Sequence, residues 1–152
     1  MGRFGLRVAL CVSILLLVAG GVAQGFGNMS GSGNQGAKTQ ESNGPVKVEK
    51  AKGKDAYTVG ELYAKSATLD KHTVAVRGKV VKVSRMIMGK NWVHLRDGSG
   101  DAAKGTNDIV VTSLEDPKMG EVVTARGTLH KDKDFGAGYK YAVIIEEGTF
   151  QP

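Results

Sequence analysis

The feature that most restricts the fold of this chain is a series of five short runs in which apolar and polar residues alternate. A period of two residues is typical of β-strands that bury one face, because successive side chains point to opposite sides of the backbone. Turn-forming residues such as Gly, Pro and Asp separate the runs. The runs cover residues 72–84, 91–97, 107–113, 121–130 and 139–147. This pattern predicts an all-β domain of five antiparallel strands, and closing them into a barrel would remove the exposed strand edges.

In the first run, the alternation changes phase at Gly78. Val74 and Val76 precede this glycine and Val81 and Val83 follow it, so the apolar side chains move from even to odd positions. An extra residue in one strand of a pair produces such a shift, and glycine is common where it occurs. We therefore expect a β-bulge at Gly78 that bends a long first strand.

One short helix is predicted before the first strand, within residues 57–70. Thr58 and Glu61 have the spacing of a capping box, in which the hydroxyl and the carboxylate each accept a hydrogen bond from a backbone N–H group near the helix start. Leu62 and Leu69 are the residues expected on its buried side. Such a helix could cover one open end of the barrel.

The N-terminal part of the chain differs in composition from the rest. Residues 1–23 combine a basic start with an apolar run that ends in small residues, which is the pattern of a signal peptide. The apolar run, residues 8–23, is shorter than the ~20 residues of a spanning helix, so we expect no membrane span after cleavage, with an uncleaved anchor as the alternative. Residues 24–54 are rich in Gly, Ser, Asn, Gln and Lys and predict a disordered linker. The folded domain is then residues 55–152, exported to the periplasm or the extracellular space.

The composition also narrows the classes of function. Cys11 is the only cysteine and lies in the predicted signal peptide, so the exported form would have no disulfide, thiolate metal site or cysteine nucleophile. Residues 55–152 carry 14 basic and 13 acidic side chains, which is a weak signal for binding a polyanion. The sequence has no glycine-rich phosphate loop, paired-histidine zinc helix or nucleophile elbow. We therefore expect a monomeric, non-enzymatic binding module without a cofactor.

Three stretches, VRGKV, HLRDGSG and GEVVTARGTL, resemble OB-fold domains of the nucleic-acid-binding type. Within that group the chain looks closest to small exported bacterial OB-fold proteins, and the resemblance covers residues 72–147. It implies a five-stranded OB-fold barrel that binds its ligand across the second and third strands, between the loops at residues 85–90 and 130–138. Many OB folds have a helix between the third and fourth strands, and here only a short turn fits.

The resemblance implies that the ligand is a single-stranded oligonucleotide or a nucleotide. In such sites bases stack on aromatic side chains while cations hold the phosphates. The predicted ligand-binding residues come from the second strand and the two loops, and they are Arg85, Lys90, Trp92, His94, Arg96 and Phe135. The alternative for Trp92 is that it packs beneath the first loop and covers the barrel wall.

Two other functions stay open. Met86 and Met88, together with His94, offer the soft ligands that Cu(I) prefers, which would make the protein a periplasmic Cu(I) or Ag(I) carrier. Otherwise the two methionines form an apolar loop tip over the barrel mouth. An envelope protein–protein adaptor would instead expose an apolar patch around residues 86–88 and Phe135.

Overall fold

The structure of the protein is a computed structural model that describes residues 44–152. The predicted signal peptide, residues 1–23, and the predicted linker up to residue 43 lie outside the described part. In chain order, the elements are β1 (Ala56–Tyr57), α1 (Val59–Ala64), α2 (Ser66–Leu69), β2 (Thr73–Ile87), β3 (Lys90–Arg96), a 3-10 turn (Ala102–Lys104), β4 (Ile109–Ser113), β5 (Val122–Asp134) and β6 (Lys140–Gln151). Within residues 44–152, no helix is long and apolar enough to cross a membrane.

The sheet closes on itself through five of its strands. The order is β1-β2-β3-β4-β6-β5, and a further pairing between β2 and β5 completes a ring of five strands, with β1 added beside β2. The prediction of a mainly β domain is confirmed. The prediction that all five strands are antiparallel is wrong, because β4 and β6 run parallel. An odd number of strands in a ring cannot alternate in direction throughout, so at least one neighbouring pair has to be parallel.

Apolar side chains that alternate along the strands fill the inside of the ring. Transfer of each such side chain from water contributes about 1.5–3 kcal/mol. The largest fully buried ones on the ring include Val76, Val80, Val93, Leu95, Ile109, Leu129 and Ile145. Leu62 of α1 and Leu69 of α2 pack against the same core, so the helical segment covers one part of it as predicted.

The predicted capping box is present, but the helix after it is interrupted. Thr58 Oγ1 accepts a hydrogen bond from the Glu61 N–H at 3.2 Å, and Glu61 Oε2 accepts one from the Thr58 N–H at 2.8 Å. Lys65 leaves the helical region, with φ −106° and ψ 11°, so two short helices replace the one that was predicted. The buried carboxylate of Asp97 accepts a hydrogen bond from the Val59 N–H at 2.9 Å and ties the helix start to the end of β3.

The phase change in the first long strand occurs later than the sequence indicated. Gly78 is in regular register with Val123 of β5, so the prediction of a bulge at Gly78 is wrong. The extra residue is Val81, where the register between β2 and β3 slips by one. Gly78 has a different role: a Cβ atom there would lie 3.0 Å from the carbonyl oxygen of Arg96. The glycine therefore lets two strands approach closely just before the bulge.

Both long hairpins extend further than predicted. The predicted loop at residues 85–90 shrinks to a turn of two residues, Met88 and Gly89, which have φ values of 53° and 73°. Positive φ at both positions suits the right-handed twist of the flanking strands. The predicted loop at residues 130–138 also becomes largely strand, because β5 continues to Asp134 and finds antiparallel partners on β6.

The last part of the predicted linker lies along the domain without forming a helix or a strand. The Val48 N–H donates a hydrogen bond to the Asp97 carbonyl oxygen at 2.9 Å. Lys50 Nζ lies 2.7 Å from Glu61 Oε2, and this ion pair lowers the pKa of Glu61. Residues 44–54 are thus held at the start of α1 and the end of β3.

The close packing around Gly127 in the ring leads to a prediction about the free energy of unfolding. A Cβ atom at Gly127 would lie 2.6 Å from the carbonyl oxygen of Glu146 and 2.7 Å from Ile145 Cγ2. We expect Gly127→Ala to lower the free energy of unfolding by about 1–3 kcal/mol, because a backbone atom has to shift. Urea denaturation monitored by circular dichroism measures this change. Gly44→Ala, where a Cβ atom meets nothing within 4 Å, is the control, and equal stability of the two variants would contradict the prediction.

Candidate ligand-binding face

Basic side chains of β2 and β3 share the outer face of the ring. Arg77 and Lys79 alternate with inward-facing valines on β2, so they point outward. Lys79 lies opposite Arg96 of β3, and Lys82 lies opposite His94. We call this set of five side chains the basic face. Its residues come from two strands. The near-neutral net charge of the domain does not indicate this local cluster of basic side chains.

One carboxylate, that of Asp108, binds two members of the basic face. Its Oδ1 lies 2.8 Å from His94 Nδ1, and its Oδ2 accepts a hydrogen bond from Arg96 Nε at 3.1 Å. All three side chains are at least partly buried. The hydroxyl of Tyr63 donates to the carbonyl oxygen of Asp108 at 2.7 Å, so the helical segment fixes the backbone that carries this carboxylate.

Two other members of the basic face lack such a partner. Arg77 Nε is shielded from solvent and forms no hydrogen bond within residues 44–152. Lys79 forms no ion pair in the same part of the chain. Because a buried donor without a partner costs about 1–3 kcal/mol, an anion that reaches Arg77 would gain from satisfying it. The unpaired cations and the Asp108-bound pair sit side by side on the two strands.

An aromatic cluster of Trp92, Phe135, Tyr139 and Tyr141 covers the neighbouring part of the outer face. The ring centroid of Trp92 lies 5.1 Å from that of Phe135, 5.6 Å from that of Tyr139 and 5.5 Å from that of Tyr141. Pairs of this kind add about 0.5–1.5 kcal/mol each beyond the area they bury. The hairpin between β5 and β6 therefore lies over Trp92.

Trp92 is consequently closed off in this arrangement. Only 3% of its surface is exposed, and its Nε1–H donates to the Ile87 carbonyl oxygen at 2.8 Å. The indole packs beside the hairpin of β2 and β3 and has no open face for a base. The three other rings of the aromatic cluster are partly exposed, so any stacking surface would come from them.

Charged groups border the aromatic cluster on the side of β5 and β6. Glu146 Oε2 lies 3.5 Å from His130 Nε2 and 2.9 Å from Lys133 Nζ. Lys133 also stands over the Phe135 ring, 5.4 Å from its centroid. Burial raises the pKa of Tyr141, with smaller contributions from Tyr139 and Asp108. The cluster is thus bordered by basic side chains, and Glu146 partly offsets the charge of Lys133.

The remaining predicted site residues are spread over the hairpin of β2 and β3. Arg85 Nε binds the Asp116 carboxylate at 2.9 Å, on an exposed part of the surface. Lys90 lines a separate groove near the end of β4. The structure therefore joins Trp92 with Phe135, and His94 with Arg96, but it places Arg85 in a separate ion pair and Lys90 beside a separate groove.

The two methionines of the metal-carrier alternative are on the surface of the same hairpin. Met86 is 73% exposed and Met88 is 52% exposed. His94 Nδ1 is already bound to Asp108. Across the described part of the chain, no group of three or more His, Cys, Asp or Glu residues could hold a metal ion.

Sequence reasoning missed three members of the basic face. Arg77, Lys79 and Lys82 all lie in the first predicted strand, residues 72–84. The alternation along the strand could have identified them, because residues that alternate with the core valines point to the outer face.

Comparisons with family models, with curated proteins and with solved structures found no match to this chain. What the outer face could bind therefore follows only from its own side chains. Its elements are an anion-attracting set on β2 and β3 and an aromatic cluster beside it.

The buried Tyr63, whose hydroxyl donates to the Asp108 carbonyl oxygen, leads to a prediction about how stability depends on pH. Burial, helped by the charge of Asp108, raises the pKa of Tyr63 from 10.0 to about 12. The folded state thus holds the phenolic proton of Tyr63 more tightly than the unfolded chain does. The contribution of this group to folding stability is complete below pH 10.0 and is lost as pH rises to about 12. In Tyr63→Phe we expect a smaller fall of stability across this window.

Urea midpoints measured at several pH values in this range test the prediction. Tyr57→Phe is the matched control, since Tyr57 is also partly buried on the same side of the core. An alkaline loss of stability that is the same in Tyr63→Phe as in the parent protein would refute the assignment.

Proposed function

We propose that this protein is an exported, non-enzymatic binding module with an OB-fold, and that its basic face binds single-stranded nucleic acid. The observation that carries the proposal is the placement of Lys79 opposite Arg96 and of Lys82 opposite His94 on two adjacent strands, with Arg77 two residues before Lys79 on β2. Phosphate groups on a single strand repeat at short intervals, so cations spaced along neighbouring strands can hold several of them.

The fold supports this proposal through the position of the basic face. A ring of five strands agrees with the OB-fold that the sequence resembles, and OB-folds bind ligands on the corresponding strands. The signal-peptide pattern of residues 1–23 supports export.

The near-neutral charge of the domain limits the kind of polyanion that fits. Fourteen basic and thirteen acidic side chains in residues 55–152 create little long-range attraction. Local contacts on the basic face have to provide the affinity, which favours a short strand over a long duplex. The exposed edges of Phe135, Tyr139 and Tyr141 would contact bases beside the phosphates.

An adaptor that docks an envelope protein is the second candidate. It is favoured by the exposure of Met86 and Met88, which lie two residues apart on the hairpin tip. Apolar side chains exposed close together are typical of protein contact surfaces. This candidate uses the hairpin tip and leaves the basic face without a role.

The proposal is tested by the opposite effects of two substitutions. We expect Lys79→Met to weaken binding of a fluorescent oligothymidine several-fold and to lower the salt dependence by about 0.7 in the logarithmic slope, the value for one phosphate contact with a single strand. We expect Asp108→Asn to strengthen binding, because it removes a repelling charge while its amide oxygen can still accept the hydrogen bond from Arg96 Nε. Fluorescence anisotropy over a series of salt concentrations measures both effects.

Lys71→Met is the matched control, because it removes one exposed lysine from the turn before β2 and lowers the net charge equally. If Lys79→Met and Lys71→Met weaken binding to the same extent, the basic face is not the site. If salt has no effect on binding by the parent protein, or if no binding occurs, the nucleic-acid proposal fails and the adaptor is favoured.

A further inference from the structure

A groove of about 450 Å³ opens where β4 and β6 separate. These two strands pair at only two positions, and the last of these joins Val111 to Ile145. Beyond it, β4 stays with β3 while β6 stays with β5, so the gap between them widens. The groove is lined by Lys90, Thr112, Ser113, Leu114, Glu115, Glu147, Gly148 and Thr149.

Side chains seal the backbone edges at the bottom of the groove. Ser113 Oγ donates to the Gly148 carbonyl oxygen at 2.6 Å, and Glu115 Oε2 accepts from the Phe150 N–H at 2.8 Å. Gly148 cannot carry a side chain, because a Cβ atom would lie 2.2 Å from Val111 Cγ1. The groove is therefore not a free strand edge that invites another strand, and its occupant has to be recognised by side chains.

Thr112 provides a polar group in this mainly apolar groove. Its exposed fraction is 0%, and its hydroxyl has no hydrogen-bond partner in the described structure. A valine would fill the same volume without the cost of about 1–3 kcal/mol for an unpaired buried hydroxyl. Because no part of the side chain is exposed, the hydroxyl would reach a ligand only after a rotation about χ1 and a small opening of the groove wall.

Opposite charges flank the groove. Lys90 lies at the start of β3, on one wall, and Glu147 lies on β6, on the other wall. Within residues 44–152, neither side chain forms an ion pair or a hydrogen bond. Leu114 also lines the groove and provides an apolar side chain that is 83% exposed. The groove thus combines a cation, an anion, an apolar wall and one unsatisfied hydroxyl.

We propose that this groove binds a small apolar zwitterion, of the class of apolar amino acids and their dipeptides. The carboxylate of the ligand would face Lys90, its ammonium group would face Glu147, and its apolar body would rest on Leu114. The hydroxyl of Thr112 would turn to a carbonyl or amide group of the ligand. This site uses none of the five residues of the basic face, so it stands independently of nucleic-acid binding.

Nuclear magnetic resonance of the full ¹⁵N-labelled chain, titrated with leucyl-leucine, tests the proposal. We expect saturable shifts of the amide signals of Leu114, Thr149 and their neighbours. Acetyl-leucyl-leucine amide has the same apolar body without the two charges, and we expect it to bind several-fold more weakly. No saturable shift at the groove, or equal binding of the two peptides, overturns the proposal.

Substitutions then separate the roles of the lining residues. We expect Lys90→Met and Glu147→Gln each to raise the dissociation constant roughly two- to fivefold, the range for solvent-exposed ion pairs. Lys71→Met is the control for the loss of one charge, and an equal effect of Lys71→Met and Lys90→Met overturns the assignment of Lys90.

Thr112→Val distinguishes a binding role from a structural one. We expect it to weaken leucyl-leucine binding while raising the urea midpoint, because it removes an unpaired hydroxyl without changing the packing volume. Undiminished binding by this folded variant would show that Thr112 takes no part in the site.

Discussion

Hydrogen bonds between β2 and β5 are the contact on which the rest of the structure depends, because they close the sheet into a ring. Once the ring is closed, each strand has one side that faces the core and one that faces outward. The valines of β2 take the inner side, and Arg77 and Lys79 are left on the outer side. The basic face is therefore a direct consequence of closure combined with a period of two.

Closure with five strands has a second consequence, which is the origin of the groove. An odd ring contains a parallel pair, and here β4 and β6 form it through only two positions. β4 continues beside β3, and β6 continues beside β5. These antiparallel contacts draw β4 and β6 apart beyond their two paired positions. The unpaired hydroxyl of Thr112 lies at this point of separation. Both candidate sites thus result from the same topological constraint, although their chemistry differs.

The sequence predicted what depends on local pattern and missed what depends on contacts between distant strands. The capping box of Thr58 and Glu61 and the buried side chains of Val93 and Leu95 follow from spacing alone. The bulge at Val81 does not, because alternation shows that a phase change occurs but not which residue is extra. For Trp92, alternation indicates the outer face correctly but cannot indicate that a hairpin some forty positions later covers it.

The contacts of Asp108 bear on how a domain with little net charge would bind anions at the proposed site. A carboxylate beside the guanidinium of Arg96 neutralises part of its charge, which weakens the attraction of a phosphate group. The same carboxylate holds the guanidinium of Arg96 through Nε, so the four N–H donors on its two terminal nitrogens remain for a ligand. Positioning reduces the conformational entropy that Arg96 loses on binding, whereas neutralisation reduces the Coulomb gain. Arg77 and Lys79, which no carboxylate neutralises, would then supply charge while Arg96 supplies orientation, and the basic face needs both kinds of cation.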